Sequence, residues 1–213
     1  MPYCETITTA QSLHIAVWHL SEELPTLLAM WGDAPLPHHY HASNNEKRCR
    51  EIIATALLLR QYFGKDVAWH HTPEGAPRID NYNISISHTH DYVAIALHPT
   101  CRVGIDIETI QERALRIAPR FMSESELAQL PPEEELLPDG TASRAIAIHM
   151  TWSIKEAVYK IHSTAVDFRN HIAVAQLHAL PHGTTTVHLP ATDTTIEAHY
   201  RRYDSCSLAW VID

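Results

Sequence analysis

The spacing of apolar residues along the chain predicts two long helices. The first covers residues 44–63, where apolar positions recur every three or four residues and form a wide stripe: Ile52, Ile53, Ala56, Leu57, Leu59 and Phe63. The second covers residues 144–162, with a seam of the same spacing: Ala147, Met150, Ile154, Val158 and Ile161. Because an apolar stripe has to be buried, each helix is expected to pack against another element.

Polar residues and glycine mark the ends of predicted helices. Ser43 and Glu46 have the spacing of a capping box at the first helix, and Gly64 stands where a left-handed C-terminal residue belongs. Ser123 and Glu126 repeat the capping-box spacing. They predict a short helix that begins at residue 124.

Alternating apolar and polar residues predict strands. Residues 83–87 alternate in this way, and so do residues 102–108, whose apolar side chains fall on one face while Gly104, Asp106 and Glu108 fall on the other. Further β-like segments lie at residues 67–70, 92–97, 171–177, 185–189, 195–203 and 207–212.

The order of these elements predicts an α+β fold. A strand, a long helix and several strands follow one another twice, with the second copy starting near residue 102. We therefore expect two similar halves, residues 1–101 and residues 102–213, each a small and mostly antiparallel sheet packed on a long helix. A ligand site at the junction of such halves would be a normal arrangement.

Composition narrows the class of protein. The chain has 213 residues, 45% hydrophobic and 19% charged, with a formal net charge of −9. This charge argues against broad nucleic-acid binding, because phosphate backbones demand clustered cations. No apolar run approaches the ~18 residues that span a bilayer, and the first residues lack the basic start and the apolar run that are typical of a signal peptide. We expect a cytoplasmic monomer that binds neither nucleic acid nor membrane.

Cysteine and histidine give no metal signature. The four cysteines stand far apart without a C-x-x-C pair, which fits a reducing compartment. The 17 histidines are scattered, and H-E-x-x-H does not occur. A histidine-built metal site is therefore disfavoured.

Two groups of carboxylates suggest a metal site of another kind. Asp106 and Glu108 project from the same face of a strand, ~7 Å apart at the backbone. Glu156 shares a helical face with Trp152 and Lys160, which lie four residues to either side. Carboxylates facing one another favour a hard cation such as Mg²⁺. Taken singly, these patterns are better explained by a solvated strand face and by a Glu156–Lys160 surface pair, and only their combination favours a metal site.

Two further groups of polar residues suggest an anion site. Lys47, Arg48 and Arg50 crowd the opening turns of the first long helix, where cations oppose the helix dipole. Such placement favours a bound anion, although a solvated basic face remains an alternative. Ser87 and His88 lie at a turn between two strands, where polar side chains often carry function.

Together these stretches resemble the 4′-phosphopantetheinyl transferase superfamily, specifically its larger, surfactin-synthetase-activating type. The motifs that carry the resemblance are S-I-S-H-T at 85–89, V-G-I-D-I-E at 103–108, F-M-S-E-S-E at 121–126 and W-S-I-K-E-A-V-Y-K at 152–160. The pair G-I-D-I-E and W-S-x-K-E-A-x-x-K is highly specific to that family. The resemblance covers residues 45–162 in detail and the flanks in strand pattern alone.

The resemblance implies the fold, the reaction and the ligands. It implies two α+β halves related by a pseudo-twofold axis, coenzyme A in the cleft between them as substrate, and Mg²⁺ or Mn²⁺ on its pyrophosphate. It implies transfer of the phosphopantetheine arm to a serine of an apo acyl or peptidyl carrier protein, with release of 3′,5′-ADP. The rivals are another metal-dependent phosphoryl hydrolase and a non-catalytic homologue that binds coenzyme A or a carrier.

The resemblance also implies roles for single residues. The metal ligands are Asp106, Glu108 and Glu156, and the catalytic residues are Glu156, Lys155 and Asp106. The contacts to coenzyme A are Lys47, Arg50, Ser87, His88, Lys155 and Lys160. One departure bears on them, because the family commonly has Gly-Lys-Pro where this chain has Gly75-Ala76-Pro77. A lysine contact to the nucleotide is therefore missing.

Overall fold

The computed structural model describes residues 4–9, 12–111, 113–162, 167–177, 180–203 and 205–213. Contacts divide the chain into two compact units, Met1–Thr100 and Cys101–Asp213. Each unit combines helices with an antiparallel sheet, so the predicted α+β class is confirmed. Among the described helices, none is long and apolar enough to cross a membrane. The pseudo-twofold relation stays a prediction.

The first unit is a four-stranded sheet covered by one long helix. Its elements are β1 (Cys4–Thr8), β2 (His14–His19), α1 (Leu24–Trp31), α2 (His38–His41), α3 (Glu46–Phe63), β3 (His70–His71), β4 (Pro77–Arg78), β5 (Asn83–His88) and β6 (Tyr92–His98). The sheet order is β1-β2-β6-β5, and every neighbouring pair is antiparallel. The α3 stripe packs on this sheet, with Ile53, Leu59 and Ile95 fully buried.

The ends of α3 correct one prediction and confirm another. The Asn45 side chain caps the helix by accepting from the Arg48 backbone N–H at 3.2 Å. The predicted Ser43–Glu46 capping box is wrong, because Glu46 is the first helical residue and Ser43 Oγ accepts from the Asn45 N–H instead. Gly64 ends the helix in the left-handed region at φ 67°, as predicted.

The second unit is a five-stranded sheet with a 20-residue helix on one face. Its elements are β7 (Val103–Thr109), α4 (Arg113–Phe121), α5 (Glu124–Ala128), α6 (Ser143–His162), α7 (Phe168–His171), β8 (Ala173–Val174), β9 (His182–Leu189), β10 (Thr194–Tyr203) and β11 (Cys206–Ile212). The sheet order is β7-β11-β10-β9-β8, again antiparallel. The α6 seam packs on Ala198, Tyr200, Ala209 and other buried sheet residues. The Ser123–Glu126 capping box at α5 is present, as predicted.

Two predicted strands are shorter than expected. The segment 171–177 opens inside a helical turn, since Asp167 accepts from the N–H groups of Arg169 and Asn170, and only Ala173–Val174 pairs as a strand. In the segment 67–70 only His70 joins a ladder. The strands over residues 83–87, 92–97, 102–108, 185–189, 195–203 and 207–212 are confirmed, while β1 and β2 were not predicted.

Candidate functional site

The close approach of α6 to β7 depends on Gly104. A Cβ added there would lie 1.9 Å from the Ala157 carbonyl oxygen, so only glycine lets the helix backbone rest on the strand. Strand alternation places Asp106 and Glu108 on the same face as Gly104. The acidic side chains of β7 therefore point toward α6.

Asp106 is a buried carboxylate beside charged residues of α6. Its exposed fraction is 3%. Lys160 Nζ donates to Asp106 Oδ1 at 3.0 Å and to the Ile105 carbonyl at 2.7 Å. Burial first, and then the charge of Asp106, raise the pKa of half-buried Glu156, while Lys160 opposes the rise. Two carboxylates and one ammonium thus meet where the helix crosses the strand.

Glu108 stands apart from this group. It is half-buried near the end of β7, and it lines a cavity of about 110 Å³ together with His149, Trp152 and Phe121. Within the described ranges, no three His, Cys, Asp or Glu side chains are arranged so as to hold a metal ion. The structure therefore brings Asp106 and Glu156 together but does not add Glu108 to a three-ligand group.

Lys155 has a different environment from the one that the resemblance implies. Its exposed fraction is 0%, and its Nζ donates to the carbonyls of Phe121, Phe168 and Ile172 at 2.7–2.9 Å. It also lies 2.8 Å from Glu126 Oε1. Burial lowers the pKa of Lys155, and the hydrogen bond and charge of Glu126 oppose the fall.

This geometry weighs against the predicted contact of Lys155 with a pyrophosphate, which stays a prediction. An ammonium has three N–H donors, and four buried acceptors already surround this one. Glu126 is equally engaged, since it also accepts from the backbone N–H groups of Ser123 and Val174. Lys155 therefore ties α6 to the chain around it.

In the first unit, a polar cavity of about 180 Å³ lies beside the start of α3. Arg48 and His88 line it, together with His39, Ile52, Thr55, Trp69, His71, Gly75, Pro77 and Ile86. Arg48 Nη1 donates to His88 Nε2 at 2.6 Å and to Glu51 Oε2 at 3.1 Å. Burial, followed by His39 and Arg48, lowers the pKa of His71. This cavity offers cationic and ring N–H donors to an anion.

The remaining predicted contacts fall on different sides of this cavity. His88 lines it, and its predicted phosphate contact stays a prediction, whereas Ser87 is buried and lies on the opposite face of β5 by strand alternation. Lys47 is 53% exposed, 3.8 Å from Glu51 Oε1. The predicted phosphate contacts of Ser87 and Lys47 stay predictions.

Arg50 does not face the cavity. Its Nε donates to the Glu22 carbonyl and its Nη2 to the Leu20 carbonyl, both at 2.8 Å. The predicted nucleotide contact of Arg50 stays a prediction, and in this structure its guanidinium holds the chain that precedes α1. Arg48, which belongs to the same basic group in the sequence but receives no contact from the resemblance, is the arginine that lines the cavity. Its helical spacing to Ile52 and Thr55, which line the same cavity, was the available signal.

The chain is similar to known transferases. A family profile described as "4′-phosphopantetheinyl transferase superfamily" matches residues 102–211. The chain is also 29% identical over 126 residues to the 4′-phosphopantetheinyl transferase gsp of Aneurinibacillus migulanus. That match covers 54% of this chain and 49% of the relative, so the chain spans about half the length of the curated relative it matches.

Proposed function

Because the chain belongs to the 4′-phosphopantetheinyl transferase superfamily, we propose that it transfers the 4′-phosphopantetheine arm of coenzyme A to a serine of an apo acyl or peptidyl carrier protein. The observation that carries the proposal is the meeting of Asp106, Glu156 and Lys160 across the contact between β7 and α6. A cytoplasmic monomer remains part of the proposal.

The donor set fits a divalent metal, Mg²⁺ or Mn²⁺. Asp106 and Glu156 repel one another in a place with little water, as the raised pKa of Glu156 indicates. Mg²⁺ commonly binds one or two carboxylates and completes its shell with substrate phosphates and water. Asp106 and Glu156 would therefore hold it, with Glu108 as the proposed third ligand. When bound, the metal supplies positive charge to the pyrophosphate oxygens.

The transfer step exchanges one phosphorus–oxygen bond for another. The serine oxygen of the carrier attacks the β-phosphorus of coenzyme A, and the bond from that phosphorus to the bridging oxygen breaks. The electron pair leaves with 3′,5′-ADP. Lys160 is close enough to Asp106 to add fixed positive charge beside the leaving group. Glu156, or a water molecule that it positions, is the proposed acceptor of the serine proton.

Arg48 and His88 are proposed to bind the nucleotide end of coenzyme A. Both line the cavity of the first unit, and an arginine suits the geometry of a phosphate. Gly75 and Pro77 line the same cavity on either side of Ala76, where the family commonly has lysine. The missing lysine therefore leaves Arg48 and His88 a larger share of the phosphate contacts.

Intact mass spectrometry tests this function. The protein is incubated with coenzyme A, Mg²⁺ and a panel of apo carrier proteins, and we expect a phosphopantetheine adduct on at least one carrier. Chelation of the metal should abolish the adduct. Asp106→Ala and Glu156→Ala should each abolish it with the fold retained, whereas Glu133→Ala, which removes an exposed acid, should not.

The other outcomes identify the rivals. Hydrolysis of coenzyme A without a carrier would indicate a metal-dependent hydrolase. Binding of coenzyme A without modification of any carrier would indicate a non-catalytic homologue. Full activity in either alanine variant would refute the proposed ligands.

A further inference from the structure

Glu51 is a buried carboxylate next to two residues that line the cavity, and we define the α3 cavity site as Arg48, Glu51 and His88. The Glu51 side chain is 4% exposed, and Arg48 Nη1 lies 3.1 Å from its Oε2. His88 Nδ1 lies 3.5 Å from the same oxygen, and Lys47 Nζ lies 3.8 Å from Oε1. One buried acid thus touches two of the residues that line the cavity, Arg48 and His88.

The contacts of His88 define which ring nitrogen carries the proton. Its Nε2 accepts from Arg48, so the proton of the neutral ring is on Nδ1. Nδ1 faces Glu51. A negative charge at that distance favours the tautomer with the proton on Nδ1.

Arg48 keeps donors available for a ligand. Its Nη1 binds Glu51 and His88, and within the part of the chain that the structure describes, its Nε and Nη2 form no hydrogen bond to protein. The side chain is 40% exposed and lines the cavity. Glu51 therefore anchors one end of the guanidinium while the rest can meet an anion.

We propose that Glu51 is a positioning residue, which holds Arg48 and His88 for contact with the 3′-phosphate of the coenzyme A nucleotide. This inference rests on the proposed function, because coenzyme A supplies the phosphate. Glu51 itself touches no ligand and acts through its two partners. The opposing effect is repulsion, since a carboxylate near a phosphate weakens binding through its charge.

The direction in which one substitution changes the affinity for 3′,5′-ADP distinguishes positioning by Glu51 from repulsion by its charge. Glu51→Gln keeps the shape of the side chain and removes its charge. If positioning dominates, affinity for 3′,5′-ADP falls about tenfold, which is an ordinary coupling for contacting residues of one ion-pair network. Affinity for 5′-AMP, which lacks the 3′-phosphate, stays close to that of the unchanged protein. Glu46→Gln, an exposed acid on the same helix, is the matched control and should leave both affinities unchanged.

Calorimetric titration of 3′,5′-ADP and 5′-AMP gives these affinities without any transfer step. A double-mutant cycle with Arg48→Gln tests whether Glu51 acts through Arg48. If it does, Glu51→Gln should not lower the affinity further once Arg48 is replaced. Glu51→Asp, which keeps the charge on a shorter side chain, serves if the glutamine variant does not fold, and it should lose less affinity than Glu51→Ala. In steady-state transfer, the KM for coenzyme A should rise with kcat nearly unchanged.

Three results would overturn the inference: equal or tighter binding of 3′,5′-ADP by Glu51→Gln, an equal loss for both nucleotides, or no binding of 3′,5′-ADP by the unchanged protein. Failure of the proposed function looks different. In that case no carrier is modified, yet the difference between the two nucleotides in Glu51→Gln persists.

Discussion

Helices α3 and α6 each bury one charged side chain, but the partners of that charge differ in exposure. On α3 the buried residue is Glu51, whose cationic partners Arg48 and Lys47 are 40% and 53% exposed. On α6 the buried residue is Lys155, at 0%, and its partner Glu126 is only 4% exposed. Three backbone carbonyls complete the shell of Lys155.

The difference teaches which charges can reach a ligand. A buried charge with an exposed partner leaves part of that partner accessible to solvent. The exposed partner can then bind an anion without losing its ion pair with the buried charge. A pair in which both members are buried has already replaced water with protein contacts, and it serves the packing of the chain. A lysine in a functional motif therefore has either role, and its exposure decides between them.

The largest expected effect comes from breaking the α6 pair. Lys155→Met leaves the buried Glu126 carboxylate without its ammonium partner, and such a loss costs about 3–5 kcal/mol of unfolding free energy. Urea denaturation followed by circular dichroism measures it. Lys65→Met, which removes an exposed lysine, is the control and should stay within about 0.5 kcal/mol of the unchanged protein.

A double variant sharpens this result. Lys155→Met with Glu126→Gln removes both charges, so we expect it to regain part of the lost free energy of unfolding. A near-normal stability of the single Lys155→Met variant would show that Lys155 is available for phosphate contact after all.

The second effect tests the approach of α6 to β7. Gly104→Ala forces the helix off the strand, because the new Cβ would overlap the Ala157 carbonyl. We expect a cost of about 1–3 kcal/mol, typical of overpacking, and a fall in transfer rate as Glu156 and Lys160 move away from Asp106. Thermal unfolding and the mass assay measure the two losses. An unchanged transfer rate would show that the site does not depend on the close contact between α6 and β7.

The third effect contrasts two arginines of α3. Arg50→Gln breaks hydrogen bonds to the Leu20 and Glu22 carbonyls and should lower the free energy of unfolding by about 1–3 kcal/mol. Its affinity for 3′,5′-ADP should not change. Arg48→Gln should have the opposite effects: a lower affinity for 3′,5′-ADP and little loss of unfolding free energy. Thermal unfolding and calorimetric titration of the two variants measure these effects. Weaker nucleotide binding by Arg50→Gln would show that Arg50 contacts the nucleotide after all.

The smallest expected effect is on the pH dependence of the free energy of unfolding. Burial lowers the pKa of His149, and a hydrogen bond with Gln111 opposes the fall. The native ring is therefore neutral where the unfolded ring, with a pKa of about 6.5, takes up a proton. Stability from this group is present above about pH 6.5 and is lost as pH falls toward the lower native pKa.

Replacing the ring should flatten this dependence. Between pH 7 and pH 5, His149→Gln should lose less unfolding free energy than the unchanged protein, as measured by urea midpoints at each pH. The pKa values of His14, His71 and His162 are also lowered by burial, and these residues remain in both proteins. An equal decline in the two proteins would mean that His149 contributes nothing to it.

Local patterns predicted the elements whose signals lie within a few residues of each other. The alternation around Asp106, the seam of α6 and the Ser123–Glu126 cap are of this kind. Strand β2 escaped prediction because four successive residues, from Ile15 to Trp18, are buried on both faces and leave no alternation to detect.

Side-chain roles that depend on distant partners could not be predicted. The acceptors around Lys155 come from residues 13 to 34 positions away along the chain, so its motif carries no sign of them. Arg48 and Arg50 differ only in which way the helix turns them, and packing against the sheet and the chain around Leu20 decides that.

The contact between Lys160 and the Ile105 carbonyl has a consequence for how the end of α6 is held. The same Nζ also donates to Asp106 Oδ1, so one ammonium binds the backbone of one β7 residue and the side chain of the next. Because Lys160 lies in the last turn of α6, a shift of that turn would move the ammonium away from both oxygens at once. Loss of Lys160 would therefore loosen the last turn of α6 on β7 as well as remove positive charge from the site.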